Sequence, residues 1–208
     1  MPTDIAPLTS PIDALCLIHN ALRTEAERAE QTVEHLEVGS SFKAFQPVFY
    51  HWVLVLSTYV ETEERVLPTL VPEAARAWET TAGTARQLLE RLEALQTYLQ
   101  TEIGKTIVIA RTKRQLCGRV ALARLLQENL LEDEETDLLP LLRTRLSEAR
   151  QWDLLRLLFI DQDAEPQDTM VAWIAQDVTD LQRQTLVSLT TRLACAASTA
   201  LFRAVSAP

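Results

Sequence analysis

The residues of this chain that could do chemistry are few, and two groups of them repeat a pattern. Glu63-Glu-Arg-Val-Leu-Pro-Thr-Leu70 and Glu134-Glu-Thr-Asp-Leu-Leu-Pro-Leu-Leu142 each set a carboxylate pair ahead of leucines and a proline. Carboxylates turned inward from helices bridge and neutralise hard cations, and imidazole completes such sites for iron. On an outer face the same carboxylates are simply solvated. Only three histidines (His19, His35, His51) and three cysteines (Cys16, Cys117, Cys195) are present, so nitrogen and sulfur ligands are scarce. No Gly-rich phosphate loop occurs, and three histidines leave little from which to build a Ser-His-Asp arrangement.

The elements that must carry these residues are helices. Apolar residues recur at three- and four-residue steps along almost every long segment, strand-like alternation is nearly absent, and Gly and Pro fall between the periodic runs. A first helix is expected over 11–37, opened by Ser10-Pro11 and closed before Gly39. A second spans about 42–67, with Phe45, Phe49, Trp52, Leu56 and Tyr59 at helical spacing, and ends near Pro68. The third spans 73–102 ahead of Gly104, and the fourth runs from 106 to 139, where Pro140 should bend or break it. Four long helices with short connections make an all-α, up-down-up-down four-helix bundle over 1–147. Shorter helices at 141–147, 149–159, 166–177 and 180–205 follow, those of 148–208 forming a C-terminal extension of the same domain, since no linker rich in Gly, Ser or Pro separates them.

Composition narrows the partners. With 47% hydrophobic and 24% charged residues the chain has the makings of a folded core, so disorder is excluded. A formal charge of −9 argues against nucleic acid, whose phosphates demand Lys and Arg. The longest strongly apolar run, Val53 to Leu56, is far too short to span a bilayer, so no membrane insertion is expected. Asp4 and Asp13 precede the first basic residue, Arg23, which leaves no signal-like n-region and points to a cytoplasmic location, with the widely spaced cysteines reduced.

The order of these features resembles the hemerythrin-like (HHE cation-binding) family from Pro11 to Pro208. Pro11-Ile-Asp-Ala-Leu-Cys-Leu-Ile-His-Asn-Ala-Leu-Arg-Thr-Glu25 looks like its first helix, and the two Glu-Glu…Pro signatures close alternate helices as they do there. Trp152-Asp-Leu-Leu-Arg-Leu-Leu158, Val171-Ala-Trp-Ile174 and Asp180-Leu-Gln-Arg183 are similar to the C-terminal extension of bacterial members. The resemblance implies a diiron centre between the helices. Its pattern is one His on the first helix, His-x-x-x-Glu on the second, one His on the third and His-x-x-x-Glu on the fourth, each Glu six residues before the proline.

Carried onto this sequence, that pattern falls on His19, on Thr58 and Thr62, on Ala82, and on Leu130 and Glu134. Only His19 and Glu134 are ligand types. A one-residue shift brings Glu63 into the carboxylate position of the second helix and Tyr59 into the histidine position. Iron held by one histidine and one or two carboxylates would be weakly bound. The expectation is therefore a hemerythrin fold with a dismantled diiron site, acting as a non-catalytic binding or regulatory module. A protein partner or a small apolar ligand would occupy a pocket lined by Thr58, Thr62, Ala82 and Leu130. The alternative is iron or haem held in an altered site by His19, Glu134 and Glu63. His19 and Glu134 are expected to hydrogen-bond directly or through water, His51 to be packed, and His35 and the run Arg111, Lys113, Arg114, Arg119 to lie on solvated faces.

Overall fold

The computed structural model describes residues 9–71, 75–102, 107–159, 173–174, 183–184 and 186–193, and among them every regular element is helical. Six α-helices follow one another: α1 Leu15–Glu34, α2 Phe45–Leu70, α3 Ala75–Glu102, α4 Ala110–Asp133, α5 Leu139–Arg145 and α6 Glu148–Phe159. Single 3₁₀ turns, Pro11–Ala14 and Phe42–Ala44, lead into α1 and α2. The expected helices at 166–177 and 180–205 lie largely outside the described residues, although 183–184 and 186–193 are helical.

Both prolines near the expected helix ends lie within helical runs. Pro68 lies inside the last turn of α2, which ends two residues later with the Val71 N–H on the Leu67 carbonyl at 2.9 Å. A proline so near a C-terminus forfeits only one hydrogen bond, to a carbonyl that water can reach. Pro140 does not break the fourth helix either. A π-helical turn over Glu134–Leu138, closed by the Leu139 N–H on the Glu134 carbonyl, joins α4 to α5. The wider turn moves aside the carbonyls that the pyrrolidine ring would otherwise strike, so the helical path continues to Arg145.

The chain divides into two compact units, Leu22–Leu142 and Met1–Ala21 with Arg143–Pro208. In the first, α2 packs on α3 and α3 on α4. The directions follow from the hydrogen bonds. Going up α1 from Leu22 through Glu30 to Val33, the partners on α4 descend from Gln127 through Arg124 to Cys117, so these helices are antiparallel. Trp52 meets Gln127 and Tyr59 meets Glu134 at one constant sequence offset, so α2 and α4 run parallel. At one end the left-handed Gly39, with φ of 96°, lets its N–H reach the Val108 carbonyl at 2.7 Å, while the Val108 N–H bonds the Ser40 carbonyl at 2.8 Å.

The inward positions are mostly apolar: Phe45, Phe49, Leu56 and Val60 on α2, Ala85, Leu88, Leu92, Leu95 and Leu99 on α3, Leu116, Val120 and Leu130 on α4. One polar layer crosses them. The buried Gln127 amide accepts the Trp52 indole N–H at 2.6 Å and donates to the Leu22 carbonyl at 3.0 Å. Arg23 reinforces the same flank from α1, with Nε on Glu128 at 2.9 Å and a two-pronged contact to Glu135 at 2.8 and 3.2 Å. Burial works against the Arg23 charge, but the two carboxylates outweigh it and raise its pKa above the ordinary arginine value.

In the second unit, Asp13 ties the turn before α1 to the start of the C-terminal region. One carboxylate oxygen caps the Thr9 and Ser10 N–H groups at 2.9 Å each, and the other takes Arg143 at 2.5 and 3.0 Å. Burial pushes the Asp13 carboxyl up. Hydrogen bonds from Arg143, Thr9 and Ser10 and the Arg143 charge override it and hold the group below the ordinary range. Gln151 of α6 accepts from Ser10 and donates to the Leu146 carbonyl at 3.0 Å.

Replacing Gln127 by Met keeps the volume but strands the buried Trp52 N–H. We expect a loss of about 1–3 kcal/mol, read as a lower urea midpoint with an unchanged slope.

Candidate functional site

The inward repeat of α2 continues from Trp52 and Leu56 to Tyr59 and Glu63, all fully buried. Seven residues separate Trp52 from Tyr59, and seven separate Gln127 from Glu134. The second polar layer therefore sits two helical turns beyond the first, on the same two parallel helices. There the Tyr59 phenol oxygen lies 2.6 Å from Glu63 Oε1 and 2.8 Å from Glu134 Oε2. Glu134 is the first residue of the π turn, on which α3 also packs.

Proton counting defines the chemistry of this cluster. A phenol carries one hydrogen, so Tyr59 cannot donate to both carboxylates at once. One of the two short contacts must use a carboxyl proton. Burial drives Glu63 well above the ordinary carboxylate range, the neighbouring Glu134 charge and a hydrogen bond with Glu134 push it the same way, and the phenol's hydrogen bond opposes them. Glu63 is thus pushed toward its neutral, protonated form. Burial, followed by the charges of Glu134 and Glu63, also drives Tyr59 well above the usual phenol value, so the ring stays neutral.

The other residues singled out in the sequence fall as follows. Thr58 is exposed and Thr62 only half-buried, and each turns its hydroxyl back to a carbonyl four residues earlier, Leu54 and Thr58, at 2.8 and 2.7 Å. Neither lines an interior pocket, which corrects the expected register by one residue. Helical geometry puts Tyr59 and Glu63, not their predecessors, on the line of Phe45, Phe49, Trp52 and Leu56. Ala82 and Leu130 are buried, and Leu130 lies one turn before Glu134 on α4. His19 is fully buried in α1 and belongs to the unit of residues 1–21 and 143–208. His35 is exposed at the end of α1, its Nδ1 2.6 Å from the Gln31 carbonyl. His51 is 40% exposed rather than packed inside, with Nε2 3.9 Å from Glu25 Oε1.

Glu25, which no motif marks, is buried and takes the Arg28 guanidinium at 2.7 Å. Cys117 donates weakly to the Val33 carbonyl at 3.8 Å, and burial pushes its thiol up, which fits a packed thiol rather than an activated nucleophile. Cys195 lies outside the described residues.

No family model, curated protein or solved structure matches the chain. The site is therefore read from its own geometry. Among the described residues no group of three or more His, Cys, Asp or Glu is placed to hold a metal ion, and no helix is long and apolar enough to cross a membrane. Two carboxyls already engaged by a phenol between them, with Thr58 turned to solvent and Ala82 and Leu130 offering no donor, do not fit a diiron centre.

The raised pKa of Glu63 sets the sign of two expectations. Its protonation favours the folded state fully below the ordinary carboxylate value of 4.5, and that contribution is lost as pH rises through the folded value. Glu63→Gln, which keeps a neutral donor, should leave stability unchanged below about pH 4 and raise it by about 1–3 kcal/mol at neutral pH, read from urea midpoints across a pH series. Tyr59→Phe removes the phenol from between the carboxyls and should lower the thermal midpoint by about 2–12 °C.

Proposed function

We propose that the chain is a hemerythrin-like, up-down-up-down four-helix bundle with a C-terminal helical extension, in which the diiron site has been dismantled. In this reading it acts as a non-catalytic binding or regulatory module of the cytoplasm, engaging a protein partner or a small apolar ligand. One observation carries it. The buried carboxyls of Glu63 on α2 and Glu134 at the end of α4 both engage the Tyr59 hydroxyl, at 2.6 and 2.8 Å, rather than being left open to cations.

The pairwise helix directions support the bundle. With α1 antiparallel to α4, and α2 parallel to α4, α1 opposes both α2 and α4, the senses that the family resemblance implies for these three. The donor-poor interior supports the loss of redox chemistry, since Lewis-acid or oxygen chemistry needs open coordination positions on a well-held metal.

The adjacency of Glu63 and Glu134 also favours a second reading, an altered cation site using these two residues. Elemental analysis with a visible spectrum separates the two. Protein purified from iron-fed cells should carry well under one equivalent of iron and show no oxygen-sensitive diiron absorption. A stoichiometric metal signal that Glu134→Ala abolishes would instead establish the second reading.

A further inference from the structure

The outer face of α4 carries a pattern that neither the core nor the candidate site uses. Gln115, Gly118, Leu122, Leu125, Asn129 and Glu132 recur at alternating three- and four-residue steps, and all six are exposed. That spacing is the a/d repeat by which one helix seats against another. Its centre is apolar, with Leu122 43% and Leu125 51% exposed. Buried Leu116, Val120, Ala123 and Gln127 face the other way, so these leucines are surplus to the fold.

The charge pattern selects the occupant. Arg111 and Arg114 stand at the start of the stripe, Glu132 and Asp133 at its end, and all four are exposed. Arginines near a helix N-terminus oppose the helix dipole, so this order is not explained by stabilising α4 itself. It is self-complementary in one orientation only. If a second α4 lies antiparallel, with a twofold axis between Leu122 and Leu125, each of these leucines meets the other of the second copy. Small Gly118 then faces Asn129, Gln115 faces Glu132, and Arg114 comes beside Glu132 of the second copy. A parallel pairing would set arginine against arginine and acid against acid.

We infer that this stripe is a homodimer interface, the occupant being a second copy of the chain docked antiparallel through α4. The contact is isologous, so both copies use one surface and the assembly closes at two. A seam of one helix falls below the roughly 1,200–2,000 Å² of a stable standard interface, which places the dimer in the weak, concentration-dependent range.

Sedimentation equilibrium of the full chain between about 1 µM and 1 mM tests this. The expected result is a monomer–dimer equilibrium that Leu125→Glu weakens at least tenfold. Arg114→Glu and Glu132→Arg should each weaken it, and the two together in one chain should restore it. Circular dichroism should stay that of the folded chain throughout, because the positions are exposed. A chain that remains monomeric over the whole range overturns the proposal. So does a dimer indifferent to Leu125→Glu, or a charge-swapped double variant no better than the single ones.

Discussion

Two carboxyls brought together in an apolar interior cannot both be ionised, and much of the arrangement around α2 and α4 follows from how this pair is accommodated. Leaving water costs each ionised carboxylate several kcal/mol, and a second negative charge beside it adds repulsion. The chain meets that constraint with a proton on Glu63 and a phenol between the two groups, 2.6 and 2.8 Å from their oxygens. A tyrosine suits the position because its ring packs as a hydrophobe while its hydroxyl both donates and accepts.

This layer works together with the one below it. Trp52 and Gln127 repeat the pairing of the same two helices seven residues earlier, again with an aromatic from α2 and a polar side chain from α4. Two such layers at one sequence offset fix the axial register of α2 against α4, because a slip of either helix would strand several buried polar groups at once. Leucines alone would tolerate such slips far better. The inward face of α3 is built mainly of Ala82, Ala85, Leu88, Leu92, Leu95 and Leu99, so it closes the interior without specifying register. On the other flank α1 is fixed by charge, through Arg23 to Glu128 and Glu135 and through Glu30 to Arg124. These pairs are partly exposed and orient the helix more than they stabilise it.

The helices were legible in the sequence because periodicity reports burial directly, and the six described elements lie close to where the apolar repeats place them. What misled was proline. Treating Pro68 and Pro140 as helix ends, and counting ligand positions back from them, put Thr58 and Thr62 inside. Yet the apolar repeat Phe45, Phe49, Trp52, Leu56, Tyr59 on the same helix already implied the other register. Periodicity summed over five buried residues is the stronger signal, since a proline in a last turn forfeits one hydrogen bond and a π turn can absorb one further along. Gln127, Glu25 and the proton on Glu63 were not legible. Each depends on which side chain a neighbouring helix presents, and a single helix's sequence does not contain that.

The same cluster bears on what could replace the proton. For a divalent cation to enter, the Glu63 proton must leave and the phenol must give up two short contacts. The ring is fully buried, so moving it aside would disturb a packed interior. A cation would therefore have to compete with both a proton and a packed aromatic. The imidazoles that would compensate are missing from the sequence at three of the four positions where the resemblance calls for them. Tyr59 instead links the two carboxyls through its hydroxyl and packs its ring beside them, which makes the pair part of the core.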